Sequence, residues 1–570
     1  FHDKESGITI TNENLPLIEK KLFYDVQKRF EVQGFGKNHM KREYLLRNII
    51  SCPCGTPMNC RGITKTQKYP LYICKNIERT YKKYKKVCDE CVPMRSVRMN
   101  QMDDFVWESL LHTLSQSSLI KETTIVTGNE QREILYNAGI AIQDTEIVGI
   151  GSSDDLEREF SSSTVVQGRG KVVFPGLINC HTHLQATADR GILEDFGFPT
   201  TLGFPTTGRG LLSPDERKVF ALLASIEAIK SGTTTLLEIS ENIHEYAHSL
   251  NSTGLRLLLA ENINDIETAG SHPVFSESKR DDALRRASDL IESWHNKSDG
   301  RIKGFVAPHA PETVSPELLR ASKDLAEKHN VGYTIHLSQS YKEIMAVKET
   351  RGVLPTHYLF ANEFLGDRLV VAHCRYLNNS EIALLGEAKV NISHNAAIGA
   401  RRGAAAPIRE LSSSGCTIGM GTDNMAEDMV AVMRAGLFHE RVRLNSETHP
   451  QPEDVLQWAT FGGAMALGIS DDVGSLETGK KADFFMIDSR RAHLVPTLRI
   501  VSSFVHNGSA GDITDVMIDG KWVMRDSSLT TIDEMTVISN AEKIGHRVWN
   551  KLVNDHPNVH FPIKLPPTTL

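Results

Sequence analysis

A pair of histidines two residues apart gives the first chemical signal in this chain of 570 residues. His181 and His183 follow a short apolar segment, residues 172–178, which a Pro-Gly turn signal interrupts. Side chains two apart on a strand lie on the same face, so both imidazoles point the same way. Two imidazoles at a strand end can form half of a metal site. The pair alone would fit an exposed polar strand edge equally well.

Four more polar residues follow later apolar segments in the same way: His309, His336, His373 and Asp423. Three imidazoles and one carboxylate suit a single divalent ion, Zn or Fe, that keeps an open position for water. Such an ion makes hydroxide available near neutral pH. We expect His373 to act as a base on that water, and Asp423 both to bind the metal and to accept a proton.

The elements that would position these residues alternate between apolar strands and amphipathic helices. Residues 213–216 (Ser-Pro-Asp-Glu) and 315–317 (Ser-Pro-Glu) mark two helix starts, each with Pro at the first helical position. Eight strand–helix units in roughly 270 residues predict an α/β fold, a (β/α)8 TIM-type barrel, whose active site lies at the strand C-termini. The predicted strand ends are Asn179, Ile239, Ile263, Ala310, Gln339, Tyr376, Asn395 and Asn424.

Short strands separated by turns lie on both sides of the barrel region. We predict that residues 122–172 and 474–530 pair into one small β-sandwich, with a hairpin at Asp519-Gly520. The barrel is expected at residues 173–473, and a C-terminal helix and tail at residues 531–570. The Gly-, Pro- and Thr-rich loop of residues 197–210 follows the first barrel strand and would either cover the site or only connect two elements.

Five motifs carry a resemblance to a known family: Pro-Gly-Leu-Ile-Asn-Cys-His-Thr-His-Leu, Ala-Pro-His-Ala-Pro, Val-Val-Ala-His-Cys, Gly-Thr-Asp-Asn and Gly-Ser-Leu-Glu-Thr-Gly-Lys-Lys-Ala-Asp. Over residues 122–530 the chain resembles the amidohydrolase superfamily, in its branch of triazine hydrolases, chlorohydrolases and nucleobase-type deaminases. The resemblance implies that His373 assists the water and that His309 contacts the substrate. It also implies one divalent metal ion, Zn or alternatively Fe, bound by His181, His183, His336 and Asp423.

Gln339 departs from the pattern of this family. Its deaminases usually carry Glu three residues after the strand-five histidine, and that carboxyl moves a proton to the ring nitrogen or the leaving amine. A Gln amide can hydrogen-bond to the substrate but cannot cycle a proton at neutral pH. The residues that could supply a substitute acid are Glu238, Glu241, Glu261 and Glu312.

The predicted function is that of a metal-dependent hydrolase acting on a small molecule. Metal-bound hydroxide would attack an electron-poor carbon of an N-heterocyclic or amidine-like substrate, with release of ammonia or an amine. Because of Gln339, the alternative is a chlorohydrolase or another hydrolase whose substrate has a better leaving group.

The first hundred residues differ in charge from the rest of the chain. They carry 20 Lys and Arg against 10 Asp and Glu, whereas the whole chain has a formal net charge of −7. Six of the nine cysteines lie between Cys52 and Cys91, around a short aromatic segment. Such pairs suit a structural zinc site in a reducing compartment, with free loop cysteines as the alternative. The candidate ligands are Cys52, Cys54, Cys74 and Cys91.

Within a first module of residues 1–115, the segments Leu-Leu-Arg, Cys54-Gly55 and Tyr72-Ile73-Cys74 make about residues 8–115 similar to the zinc ribbon of large serine recombinases, without that family's catalytic domain. This resemblance implies weak DNA contact through a basic patch, and a recombinase relic with a passenger barrel is therefore the rival hypothesis. For the protein as a whole, we expect a cytoplasmic location and a homo-oligomer. No apolar run approaches the roughly 18–20 residues of a membrane span.

Overall fold

The computed structural model describes residues 58–61, 71–74, 96–98, 117–160, 164–194, 206–268, 272–559 and 565–566. The chain divides into two compact units, Phe1–Ser115 and Gln116–Leu570. In the first, three short strands form an antiparallel sheet with β2 in the centre: β1 Met58–Arg61, β2 Leu71–Cys74 and β3 Ser96–Arg98. Of the predicted zinc ligands, Cys52, Cys54 and Cys91 lie outside the described residues, and only the backbone of Cys74 is described. The zinc ribbon therefore stays a prediction.

The second unit contains a nine-stranded sheet built from both sides of the barrel region. Its strands are β4 Ser117–Val126, β5 Ile134–Gln143, β6 Glu146–Ser152, β7 Thr164–Gln167, β8 Lys171–Pro175, and, after the barrel, β19 Phe484–Asp488, β20 Ile513–Ile518, β21 Lys521–Arg525 and β22 Ser528–Leu529. β8 pairs antiparallel with β19, with Phe174 opposite Phe485. Side chains from both halves of the sheet, such as Ile140 and Met517, share one apolar core.

In sequence, the barrel strands lie between these two sets of sheet strands. Its eight strands are β9 Leu177–Thr182, β10 Thr233–Ser240, β11 Arg256–Ile263, β14 Ile302–Pro308, β15 Tyr333–Leu337, β16 Leu369–His373, β17 Asn391–His394 and β18 Thr417–Met420, while β12 Ile266–Thr268 and β13 Val274–Phe275 form a separate hairpin. Each barrel strand pairs in parallel with its neighbours, and β18 closes the ring against β9. The predicted (β/α)8 barrel is therefore confirmed.

The second unit contains these α-helices in its described part: α1 Ser153–Glu159, α2 Pro214–Lys230, α3 Ala247–Ser252, α4 Glu277–Trp294, α5 Pro316–His329, α6 Tyr341–Arg351, α7 Pro355–Ala361, α8 Asn379–Glu387, α9 Ala396–Arg401, α10 Ile408–Ser414, α11 Met429–Leu444, α12 Pro452–Ala459, α13 Phe461–Ala466, α14 Ile500–Asn507 and α15 Glu534–Asp555. Both predicted helix starts are present. Ser213 and Glu216 form a reciprocal capping box on α2, and the Ser315 hydroxyl accepts the backbone N–H of Leu318 on α5.

A buried ion pair joins the barrel to the nine-stranded sheet. The Arg256 guanidinium, at the start of β11, donates to both carboxylate oxygens of Asp483 at 2.8 and 3.0 Å and to Asp519 at 3.1 Å. Removing one partner of such a pair would leave a buried charge uncompensated, so the contact fixes the sheet against this end of the barrel. None of the helices in the described part of the chain is long and apolar enough to cross a bilayer.

Candidate active site

The structure brings the predicted site residues together at the C-terminal end of the barrel. His181 lies in β9 and His183 directly follows it, His336 lies in β15, His373 ends β16, and Asp423 follows β18. Ligand atoms within 4.8 Å of one another occur in two overlapping groups: His181, His183 and Asp423, and His181, His336 and His373. Residues more than 240 positions apart in sequence therefore converge on one point.

The contact between His183 and His336 is the clearest sign of a cation site. Nδ1 of His183 contacts the backbone oxygen of Ile239, and Nδ1 of His336 lies 2.6 Å from the backbone oxygen of His309. A carbonyl only accepts, so both rings carry their proton on Nδ1 and have a lone pair on Nε2. Those two Nε2 atoms face each other at 3.2 Å. Two lone pairs at this distance repel each other unless a cation binds both.

His181 and Asp423 complete this donor set. Asp423 Oδ1 lies 3.6 Å from His183 Nε2 and 3.8 Å from His181 Nε2. Both ring nitrogens of His181 are buried and have no hydrogen-bond partner within the described residues. Buried polar atoms normally have partners, and a metal ion would supply one here. The four predicted ligands therefore offer three imidazole nitrogens and one carboxylate oxygen, a donor set that fits a divalent ion.

Burial controls the charge state of these groups. It lowers the pKa of His181, His183 and His373 well below the usual value, and that of His336 to about 4. The rings are therefore neutral, as metal ligands must be. Burial raises the pKa of Asp423 to about 6, although Arg375 opposes this shift.

A buried carboxylate that sequence reasoning missed supports the two strand ends that carry His181 and Asp423. Glu427 accepts hydrogen bonds from the hydroxyls of Thr182 and Thr422, at 2.7 and 2.8 Å, and from the Asn179 amide at 3.2 Å. Thr182 belongs to β9 and Thr422 follows β18, so one side chain ties both ends together. Partners of metal ligands of this kind orient the ligands.

Two of the four proposed substitute acids have structural roles. Glu238 is fully buried and accepts the backbone N–H of Leu184 at 2.9 Å and the Tyr246 hydroxyl at 2.7 Å. Glu261 is also buried and accepts the backbone N–H groups of Asn242 and Ile243 at 2.9 and 3.2 Å. Both carboxyls therefore hold the loops that follow β9 and β10.

His309 presents a hydrogen-bond acceptor beside the metal ligands. The Thr313 hydroxyl donates to the backbone oxygen of Ala310 at 3.0 Å, and the oxygen of this hydroxyl lies 2.8 Å from Nδ1 of His309. Because that hydroxyl has already donated its proton, Nδ1 of His309 is the donor and its Nε2 carries the lone pair. Burial lowers the pKa of His309 to about 3, so the ring stays neutral. The predicted contact of His309 with the substrate stays a prediction.

Gln339 is positioned through its backbone. Glu343 accepts the N–H groups of Ser338 and Gln339, both at 2.7 Å, and thereby fixes the turn after β15. Burial, and then the neighbouring Glu312, raise the pKa of Glu343 well above its usual range. Burial also raises the pKa of Glu312 to about 7, and one of its oxygens has no partner within the described residues. The only sequence signal for Glu343 was its spacing from Ser340, typical of a helix start.

A cavity of about 330 Å3 lies beside the metal ligands. Of the four proposed acids, only Glu241 lines it, and it is exposed. The described end of the loop predicted at residues 197–210 contributes to this wall, whereas residues 197–205 lie outside the described chain. The lining residues are His183, Gln185, Thr207, Arg209, Gly210, Arg217, Ile239, Ser240, Glu241, Asn242, Asn262, His309, His336, Gln339, Asp423 and Asn424.

A closed parallel barrel with three imidazoles and a carboxylate at its C-terminal end defines a metal-dependent barrel hydrolase. Residues 172–523 match the profile of the Amidohydrolase family, and the chain belongs to that family. The comparisons confirm the predicted hydrolase that acts on C–N bonds other than peptide bonds.

Two relatives align along nearly their whole length. A 5-methylthioadenosine/S-adenosylhomocysteine deaminase of Desulforamulus reducens is 31% identical over 442 residues, which covers 76% of this chain and 99% of the relative. A 5'-deoxyadenosine deaminase of Methanosarcina barkeri is 31% identical over 446 residues, with the same coverage of 76% and 99%.

Solved structures show the same fold. An adenosine deaminase from Xanthomonas campestris with bound zinc superposes with a TM-score of 0.70 at 25% identity, covering 76% of this chain and 98% of the other. The zinc complex of an atrazine chlorohydrolase from Arthrobacter aurescens superposes with a TM-score of 0.67 at 23% identity, covering 75% and 100%. At this identity the second structure supports the fold alone.

Proposed function

We propose that this chain deaminates an adenine-type nucleoside whose 5' position is modified. In this reaction water replaces the exocyclic amino group of the ring, and ammonia leaves. The single observation that carries a hydrolytic metal centre is the pair of unprotonated Nε2 atoms of His183 and His336 at 3.2 Å. The names of the relatives, which are 5'-deoxyadenosine and 5-methylthioadenosine/S-adenosylhomocysteine deaminases, support the choice of substrate.

The residues of the candidate site have separate chemical roles in the proposed reaction. A divalent ion held by His181, His183, His336 and Asp423, which we propose to be zinc, would lower the pKa of a bound water toward neutrality. Asp423 Oδ2 would accept the proton of the attacking water. Nε2 of His309 would accept a hydrogen bond from the amino group of the substrate, and the Gln339 amide would donate one to the ring.

The alternative is hydrolysis of a better leaving group, such as the chloride of a chlorinated heterocycle. The observation that favours it is Gln339, which lines the cavity at the position where the family's deaminases carry a proton-moving carboxyl. Chloride and thiolate leave without protonation, so such substrates do not need an acid at that position.

Product analysis separates the two proposals. Zinc-loaded protein is incubated with 5'-deoxyadenosine, 5'-methylthioadenosine and a chlorotriazine, while ammonia and chloride are assayed separately. Ammonia release from the nucleosides, lost in Asp423→Asn and kept in the surface variant Lys551→Ala, supports deamination. Chloride release alone supports the alternative. Absence of bound metal in the wild-type protein contradicts both.

The remaining assignments stay predictions from the sequence. They are a cytoplasmic homo-oligomer, a structural zinc at Cys52, Cys54, Cys74 and Cys91, and weak DNA contact through residues 1–115. Salt-sensitive DNA binding by the full chain would support the last of these.

A further inference from the structure

We propose that Arg375 is a positioning residue that holds His373 as a hydrogen-bond donor. In this arrangement the His373 ring carries its proton on Nε2, so it neither binds the metal nor accepts a proton from water. This differs from the base expected from the sequence. The tautomer of His373 does not depend on the proposed function. Only the acceptor of the hydrogen bond from Nε2 rests on that function, and this acceptor is an oxygen or leaving group at the reacting carbon of the substrate.

Two donors face the same nitrogen of the His373 ring. Nη2 of Arg375 lies 3.1 Å from His373 Nδ1, and the amide nitrogen of Asn395 lies 3.3 Å from it. The Ser393 hydroxyl donates to Oδ1 of Asn395 at 2.8 Å, so the amide nitrogen of Asn395 is the end that faces the ring. Guanidinium and amide nitrogens only donate, so Nδ1 must accept. In a neutral imidazole the proton then lies on Nε2.

Burial and hydrogen bonds hold the Arg375 side chain beside the His373 ring. Its side chain is buried, and Nη1 donates to the backbone oxygen of Gln339 at 3.3 Å. Its backbone N–H donates to the oxygen of Ser338 at 3.1 Å. The two residues before it, His373 and Cys374, have φ angles of +80° and +53°. Non-glycine residues adopt such conformations only where the surrounding contacts enforce them.

This tautomer decides between the two overlapping groups of metal ligands. The ring nitrogens of His181, His336 and His373 also lie within 4.8 Å of one another, so the positions of the atoms alone would allow His373 to be a ligand. A protonated Nε2 has no lone pair for a metal. His183 and His336 differ from His373, because a backbone carbonyl holds the proton of each on Nδ1. The ligand set is then His181, His183, His336 and Asp423.

The proton on His373 Nε2 is also available to a second partner. Nε2 lies 3.8 Å from Asp423 Oδ2, and it has no hydrogen-bond partner within the described residues. A group bound between this nitrogen and the metal ligands would receive the hydrogen bond. Preorganised donors of this kind stabilise negative charge that develops on an oxygen or leaving group.

Nitrogen NMR of selectively histidine-labelled, zinc-loaded protein tests the tautomer without any substrate. The His373 signal is identified by its loss in His373→Gln. We expect a protonated Nε2 and an unprotonated Nδ1 in the wild type and in Arg375→Lys, which keeps a donor. Arg375→Met combined with Asn395→Asp replaces both donors, one by an acceptor, and should move the proton to Nδ1. Protonated Nδ1 in the wild type would overturn the proposal.

Kinetics of two variants test the donor role. The amide nitrogen of His373→Gln can reach the position of Nε2, so kcat should fall by less than about tenfold, whereas His373→Ala should lose about 10²–10³-fold. Equal losses in both variants, at equal zinc content, would contradict a donor. A wild type with the expected tautomer but no deaminase activity would defeat the proposed substrate and support the role of Arg375.

Discussion

Replacing Gln339 by Glu is the most informative single change in this site. The side chain lines the cavity two residues beyond the end of β15, and the backbone N–H of Gln339 donates to Glu343 at 2.7 Å. Gln and Glu have nearly the same shape, and the anchoring contact uses only the backbone. The substitution therefore exchanges an amide for a carboxyl without moving the turn.

The expected increase in kcat follows from the rate enhancement that a positioned general acid provides. Proton transfer by a side chain contributes about 10²–10⁴-fold to a rate, equivalent to about 2.7–5.4 kcal/mol of barrier. The wild type must already protonate its leaving group by another route, so we expect a gain at or below the lower end of this range. Gln339→Glu should raise kcat for ammonia release by about 10–100-fold. Burial raises the pKa of carboxyl groups, which helps the new side chain to keep a proton near neutral pH.

The assay compares ammonia release from the best nucleoside substrate at equal zinc content. Gln339→Met is the matched control, because it removes the polar end without adding an acid, and it should not gain activity. Substrates that lose chloride should respond by less than about threefold, since their leaving group needs no proton. An unchanged rate of ammonia release in Gln339→Glu, together with rapid release in the wild type, would refute the reasoning that Gln339 limits deamination.

Two further predictions concern buried carboxyls. Burial raises the pKa of Glu238 to about 7 from a usual 4.5, so the folded metal-free protein binds this proton more tightly than the unfolded chain. The resulting stabilisation is present below about pH 4.5 and is lost as pH rises through about 7, by up to about 3 kcal/mol. Urea unfolding of Glu238→Gln should show a flatter pH dependence than the wild type, and an equal slope would contradict this. Glu427→Ala should lose about 1–3 kcal/mol of stability and bind zinc about 10–100-fold more weakly, measured by urea unfolding and chelator competition, whereas unchanged zinc affinity would exclude its orienting role.

The sequence was sufficient to predict the barrel and the residues at its strand ends. The shared orientation of the histidine pair is predicted by the two-residue period of a strand alone. The other site residues are predicted by the rule that barrel active sites lie at strand C-termini. The predicted strand ends lie within four residues of the observed ends. Ile263 is both the predicted and the observed end of β11. Local patterns and one topological rule therefore carry this part of the prediction.

The side chains that support the site could not be predicted, because their partners are distant in sequence. Glu427 connects Thr182 to Thr422, and no local pattern predicts which buried carboxyl reaches both. Glu238 was proposed as an acid because of its position near a strand end. Its bonds to Leu184 and Tyr246 appear only once β10 packs beside the loop after β9. The tautomer of His373 likewise depends on a 3.1 Å contact.

The supporting contacts limit the number of groups that can move a proton during the reaction. Gln339 does not ionise, and His373 already carries a proton on Nε2 when Arg375 donates to its Nδ1. Nδ1 of His309 donates to Thr313, and its low pKa makes it a poor proton carrier. Of the groups that line the cavity, the exposed Glu241 aside, Asp423 is then the one that would take a proton from water and return it to the leaving amine in the proposed reaction. A single carboxyl in both roles explains why an added acid at position 339 should accelerate ammonia release more than chloride release.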